Sequence, residues 1–182
     1  MEADWEKEVK KEETRLKRVY SRRKKAGTLP FMEIRHLTPE EEKEQPNLLG
    51  QVRVINPLVP HSVKEITLKQ SLGPKKLGPV LAHEIGHIKY PWYSYPEPPG
   101  AAKETKEADR ARREAELDTE WLFNELVANY YALTIRPGDK SIVNFIKLDK
   151  KDAKRAGIPS LYISRIDEVA RSRVDYKGQE VR

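Results

Sequence analysis

The segment Leu81-Ala82-His83-Glu84-Ile85-Gly86-His87 constrains this chain more than any other. It is an H-E-x-x-H motif inside a segment that reads as helix. On a helix, two histidines four positions apart share a face, with Cβ atoms roughly 5–6 Å apart. Both imidazoles can then reach one Zn²⁺ at about 2.0–2.1 Å. Glu84, beside the first histidine, is placed to take a proton from a water that such an ion activates. The motif is short, and a glutamate-rich chain can carry it by chance. The rest of the sequence therefore has to supply a third ligand and a suitable fold.

Composition narrows both. A chain of 182 residues suits one domain with an appendage. It has no cysteine, which excludes disulfides and thiolate zinc sites and leaves His, Asp and Glu as ligands. Hydrophobic residues make up 37% and charged residues 35%, so much of the charge must lie on exposed helix faces or extended ends. No apolar run approaches the roughly 20 residues of a membrane span. The N-terminus is charged from Glu2 onward and does not resemble a signal peptide, so a cytoplasmic protein is expected. Abundant Glu, Lys and Arg without Cys resembles the composition of a thermophile protein.

The net charge of +6 is unevenly distributed. Residues 1–13 are net acidic, whereas Arg15, Lys17, Arg18, Arg22, Arg23, Lys24 and Lys25 form a basic block. Residues 14–27 could bind nucleic acid or an acidic partner, or could simply be a solvated helix face. Residues 3–25 read as a helix, with Trp5, Val9, Leu16, Val19 and Tyr20 near one stripe. This divides the chain into a charged N-terminal helix or extension, 1–27, and a main domain, 28–182.

Within the main domain, residues 31–37, 52–55 and 63–68 read as strands, the last of them just before the motif. The acidic 38–46 stretch opens with Thr38-Pro39-Glu40-Glu41, a helix start with Pro at its first position. Pro79 is likewise expected to open the motif helix, which would run to Lys89 or Tyr90. A loop rich in proline and aromatic residues, 90–100, follows. The longest helical signal covers 101–134, charged in its first half and apolar in its second. Two more helices are expected at 139–156 and 160–176, with Asp139 and Ser160 as N-caps and Gly157 as a stop.

A catalytic zinc needs three protein ligands and an open position. No histidine follows His87 closely, and His36 and His61 precede the motif in a strand and a loop. A glutamate from a later helix is the remaining route. Glu125 lies in the apolar run from Trp121 to Val127, where a charge needs a partner and a metal is one. Glu116 and Glu120, on the same helix, are competitors. Asn129, one turn beyond Glu125, could accept the Nδ1–H of a liganding histidine and so leave its Nε2 for the ion. Ala128 and Ala132 keep that face small enough for a close approach to the motif helix.

Taken together, Leu81–His87, then Glu125-x-x-Ala128-Asn129-x-Tyr131-Ala132 and a closing Pro137 resemble the ImmA/IrrE family of zinc metallopeptidases. The resemblance covers about residues 50–140. It implies zinc held by His83, His87 and Glu125, with Glu84 as catalytic base. The chain departs from the family pattern in the Ile88-Lys89-Tyr90-Pro91-Trp92 segment and at Arg136, where the family is apolar.

The expected fold is α+β with a zincin-like, gluzincin-type core. A small mixed sheet packs on the metal helix, and further helices follow toward the C-terminus. The expected activity is zinc-dependent hydrolysis of peptide bonds in a protein or peptide substrate. Tyr93, Tyr95, Tyr130 and Tyr131 are candidate oxyanion donors. The strand at 63–68 is a candidate edge for an extended substrate. The alternatives are a nucleic-acid-associated protein using the basic arm and a non-catalytic zinc-binding interaction protein.

Overall fold

A computed structural model describes residues 32–54, 64–69, 71–90 and 106–178, together with positions 6, 7, 9–12, 14, 15 and 18. Most of the basic 14–27 block, as well as His61, Tyr93 and Tyr95, lies outside the described residues. In chain order the elements are β1 (Met32–His36), α1 (Pro39–Glu44), β2 (Gly50–Val54) and β3 (Lys64–Leu68). These are followed by α2 (Pro74–Lys89), α3 (Lys106–Ile135), α4 (Lys140–Arg155) and α5 (Ser160–Arg173). The class is α+β, as expected.

The sheet is mixed, in the order β1-β3-β2, with β1 parallel and β2 antiparallel to β3. Ile34, Ile66 and Val52 align across it. Ile66 and Leu68 are fully buried, and α2 packs against β2 and β3. The expectation that β3 offers an open edge is wrong, because both of its edges are paired. Among the described residues, the edge strands of the sheet are β1 and β2, and β2 is the one beside α2. The bond from Lys69 N–H to the Leu49 carbonyl, 2.9 Å, fixes the phase of the antiparallel ladder. With that phase, the N–H and C=O groups of Gly50 and Val52 point away from β3.

Helix α2 starts five residues before the expected Pro79. Gly73 is its N-cap, Pro74 is at its first position, and Pro79 lies inside it. The chain has two Gly-Pro pairs on this approach, and the earlier one opens the helix. Pro79 then forgoes only one bond near the start of the helix. Two end signals worked as expected. Thr38 and Glu41 form a capping box at α1, and Asp139 accepts from Ser141 N–H at α4. At α5 the cap is Pro159 rather than Ser160, which is the first helical residue. Helix α4 ends on Gly157, at φ +94°, with Ile158 N–H bonded back to the Ala153 carbonyl at 3.0 Å. That left-handed turn suits glycine because it has no Cβ to clash.

Helices α2 and α3 make the most extensive helix contact of the fold. They cross at Gly86 and Ala128. A Cβ placed on Gly86 would lie 2.7 Å from both the Cα and the carbonyl oxygen of Ala128. The two backbones therefore touch, a spacing that only a glycine opposite a small residue permits. Around the crossing pack Leu81, Ile85, Leu122, Leu126 and Leu133, all at most 1% exposed. Helices α4 and α5 cover the rest of α3 through Ile142, Ile146, Ile163 and Ile166.

Arg136 occupies the opposite end of the α2–α3 pair. It bonds Glu12 at 2.7 Å and Asp139 at 2.8 Å, and its guanidinium lies where a Gly78 side chain would be. Val9 is buried beside this end. The described N-terminal positions thus dock on the body, and Arg136 holds that contact. Among the described residues, no helix is long and apolar enough to cross a membrane.

Because a methyl at position 86 would meet backbone, Gly86→Ala must push α2 and α3 apart. The variant should lose about 1–3 kcal/mol of stability despite alanine's better helix propensity. Urea unfolding of the metal-free protein checks this, and an unchanged midpoint would contradict the crossing described.

Candidate metal centre

The crossing at Gly86 and Ala128 dictates what stands beside it. His83 and His87 lie one turn apart on α2, on either side of Gly86. Glu125 and Asn129 flank Ala128 on α3. Helical periodicity turns all four toward the same groove. His83 Nε2 lies 3.0 Å from His87 Nε2 and 3.2 Å from Glu125 Oε2, and His87 Nε2 lies 3.5 Å from Glu125 Oε1. Among the described residues, these three side chains form the group able to hold a metal ion.

The donor set and its spacing fit a small divalent ion. Four ligands around a tetrahedral ion with bonds of about 2.0–2.1 Å are separated from one another by about 3.3 Å. The two imidazole nitrogens, 3.0 Å apart, lie near that spacing, and the Glu125 carboxylate spans them, with Oε2 3.2 Å from His83 and Oε1 3.5 Å from His87. The side chains of His83, His87 and Glu125 are 14%, 19% and 20% exposed, so the group opens to one side only. That leaves room for a fourth ligand from solvent or substrate.

The other nitrogen of His83 is also held. Its Nδ1 lies 2.9 Å from Asn129 Oδ1, and Asn129 is fully buried. An amide oxygen only accepts, so His83 keeps a proton on Nδ1, and loss of the second proton, the one Nε2 directs at Glu125, frees the Nε2 lone pair for an ion. This is the arrangement expected from the one-turn spacing of Glu125 and Asn129. Asn129 in turn donates through Nδ2 to Asp149 Oδ2 on α4, at 2.7 Å. Asp149 was not anticipated from sequence. Its signal was an acidic residue on the stripe formed by Ile142, Phe145 and Ile146.

The electrostatics follow from burial and close pairing. Burial alone would lower the His83 pKa, but the Glu125 hydrogen bond and charge, the Glu84 charge and the Asn129 bond together raise it to about 9. Glu125 is buried, which opposes ionisation, yet its bonds to His83 and His87 hold it well below the ordinary carboxylate range. Glu84 is pushed up by burial and by the Glu125 charge, against the charges of the two histidines. Asp149 is raised to about 7, chiefly by burial and then by the Glu125 charge.

Glu84 is 5% exposed and sits outside the ligand triangle, against β2. A Cβ on Gly50 would come within 2.9 Å of Glu84 Oε1, so only a glycine lets this edge strand approach the carboxylate. A cavity of about 690 Å³ opens here. Its floor is His83, Glu84, His87, Glu125 and Asn129, and its walls include Leu49, Gly50 and Val52 on one side and Trp121, Phe145 and Leu148 on the other.

The two described competitors, His36 and Glu120, are not in this group. His36 is on β1, and Glu120 lies a turn before Asn124, which donates to its carbonyl at 2.7 Å. The Glu116 side chain lies outside the described residues. Two of the oxyanion candidates are corrected. Tyr130 is fully buried, with its hydroxyl donating to Asp167 at 2.5 Å and receiving a bond from Arg171 at 3.0 Å. Tyr131 is 6% exposed and packs its ring on Tyr90. Neither lines the cavity. Helical geometry puts position 130 on the face opposite Glu125, toward α5.

No family model matches the chain, and neither a curated protein nor a solved structure matches it.

His83 holds a proton below about pH 9, and an incoming ion must displace it. Affinity for a divalent metal should therefore rise with pH, by about tenfold per unit between pH 7 and pH 9, and then level off. Competition titration with Co²⁺ across that range checks this. Affinity independent of pH would contradict the proton placed on His83.

Proposed function

We propose that the chain is a zinc-dependent metallopeptidase with a zincin-like core, of the kind the ImmA/IrrE resemblance implies. The observation that carries the reading is the His83–His87–Glu125 triangle. Its spacing suits tetrahedral Zn²⁺, and the buried, non-liganding Glu84 lies next to it. A triangle that served only to bind an ion would not require a second carboxylate buried beside its open side. The cavity in front of it has the size of a ligand site, about 300–1,000 Å³.

When bound, Zn²⁺ supplies polarisation of a peptide carbonyl and acidification of water to near neutral pH. The chain's own groups supply the rest. Asn129 keeps the His83 Nε2 lone pair directed inward. Glu84, its proton affinity raised by burial, takes a proton from water and delivers it to the departing amine. The Gly50 and Val52 backbone groups on the open edge of β2 can pair with an extended peptide laid across the cavity. Leu49, Val52, Trp121, Phe145 and Leu148 favour apolar side chains on that peptide.

Three measurements test this. Native mass spectrometry should find about one zinc per chain, lost in His83→Ala and in His87→Ala. A protein that takes up no transition metal when zinc is supplied would sink the reading. Glu84→Gln should keep its zinc and lose peptidase turnover by about 10²–10⁴-fold, since it removes the base and not a ligand. Wild-type turnover in that variant would exclude the mechanism. Glu125→Ala should weaken zinc binding more than Asn129→Ala, whose loss should be about 10–100-fold as for other outer partners. The reverse order would move the third ligand elsewhere.

A further inference from the structure

The sequence motifs account for His83, Glu84, His87, Glu125 and Asn129, but not for Asp149. It is the one acidic side chain that α4 contributes to the cavity wall, and it reaches Asn129 rather than solvent cations. Asn129 is completely buried, and both ends of its amide are engaged, Oδ1 with His83 and Nδ2 with Asp149.

An amide can sit either way round in such a slot, and the two orientations have opposite consequences for His83. With Oδ1 toward the ring, the imidazole must carry its proton on Nδ1, and Nε2 is free to bind an ion. With Nδ2 toward the ring, Nδ1 must accept, the proton moves to Nε2, and the ring cannot bind. The neutral ring that binds an ion does not decide between them, because either nitrogen can carry its one proton. Asp149 in its carboxylate form does decide, because a carboxylate only accepts. Asp149 Oδ2 at 2.7 Å requires Nδ2 on its side, and this puts Oδ1 on the histidine's side.

We infer that Asp149 is a positioning residue for the metal centre, selecting through Asn129 the tautomer of His83 that can bind the ion. The inference rests on the metal reading above and adds a residue on a third helix to it. Helix α4 thereby becomes part of the site, tied to α2 through α3. The hydrogen bond of Asp149 goes to Asn129 and to none of the three ligand side chains, while its charge also acts on Glu125 and His83.

The test is a double-mutant cycle on metal affinity in the full chain, with Co²⁺ absorption as the readout and circular dichroism as a check on folding. Asp149→Leu should weaken Co²⁺ binding by about tenfold, the low end of outer-partner losses. Asp149→Asn, which can present its own amide oxygen to Asn129, should stay within about threefold of wild type. With Asn129 already replaced by leucine, adding Asp149→Leu should cost no more than about the threefold allowed for Asp149→Asn, the part carried by charge alone. If the leucine variant does not fold, Asp149→Ala takes its place in the cycle. Wild-type affinity in the Asp149 variant, or losses that multiply independently of Asn129, would overturn the inference while leaving the metal centre intact. A wild-type chain that takes up no Co²⁺ would overturn the metal reading itself and this inference with it.

Discussion

Everything at the candidate site depends on the contact between the backbones of α2 and α3 at Gly86 and Ala128. A Cβ at position 86 would sit 2.7 Å from Ala128 main-chain atoms, so there is no room between the two backbones for a side chain at this position. At a wider crossing, the short carboxylate arm of Glu125 would not reach between two imidazoles on the neighbouring helix. The small residues in the two motifs are thus the spacing device that lets the polar ones meet. The surrounding leucines and isoleucines hold the crossing through apolar burial, at roughly 25 cal/mol per Å² removed from water. A cluster of two imidazoles and two carboxylates has to be supported by its surroundings in this way, because burying it is unfavourable on its own.

The polar groups satisfy one another in a chain across three helices. His83 meets Glu125 and Asn129, and Asn129 meets Asp149. Each link dictates the proton position of the next. Such a network imposes a single arrangement when every member is paired. On the far side of α3, a second buried group forms around Asp167, which pairs with Tyr130, Lys150 and Arg171. It ties α5 to α3 and α4, and it explains why the Tyr130 hydroxyl serves packing rather than chemistry. The two groups leave opposite faces of α3 polar within the apolar second half of the helix.

Much of this was legible in the sequence, for identifiable reasons. The four-residue spacing of His83 and His87 puts both on one face of a segment whose residues read as helix. Glu125 stood out because a charge inside Trp121–Val127 needs a partner, and Asn129 followed from it by one helical turn. Strand positions came from alternation, and the caps at Thr38 and Asp139 came from side chains whose local bonds do not depend on tertiary context. What failed was information held in the tertiary arrangement. Which strand lies at the edge depends on pairing partners far along the chain, so β3 was mistaken for an edge and β2 was overlooked. Two Gly-Pro pairs compete to start α2, and local rules do not rank them. Asp149 carried the same signal as Glu125, a charge on an apolar stripe. Its partner lies on another helix, however, and no motif spacing linked the two.

The central claim is that His83, His87 and Glu125 share one zinc ion. X-ray absorption at the zinc edge on the purified protein addresses it most directly, because it reads the ligand shell itself. The account predicts a four-coordinate shell of nitrogen and oxygen at about 2.0–2.1 Å, with the multiple-scattering signature of two imidazoles and no sulfur. Replacing Glu125 with alanine should remove one light-atom ligand and leave both imidazoles in place. A zinc shell showing one imidazole or none, or one unchanged by the loss of Glu125, would contradict it.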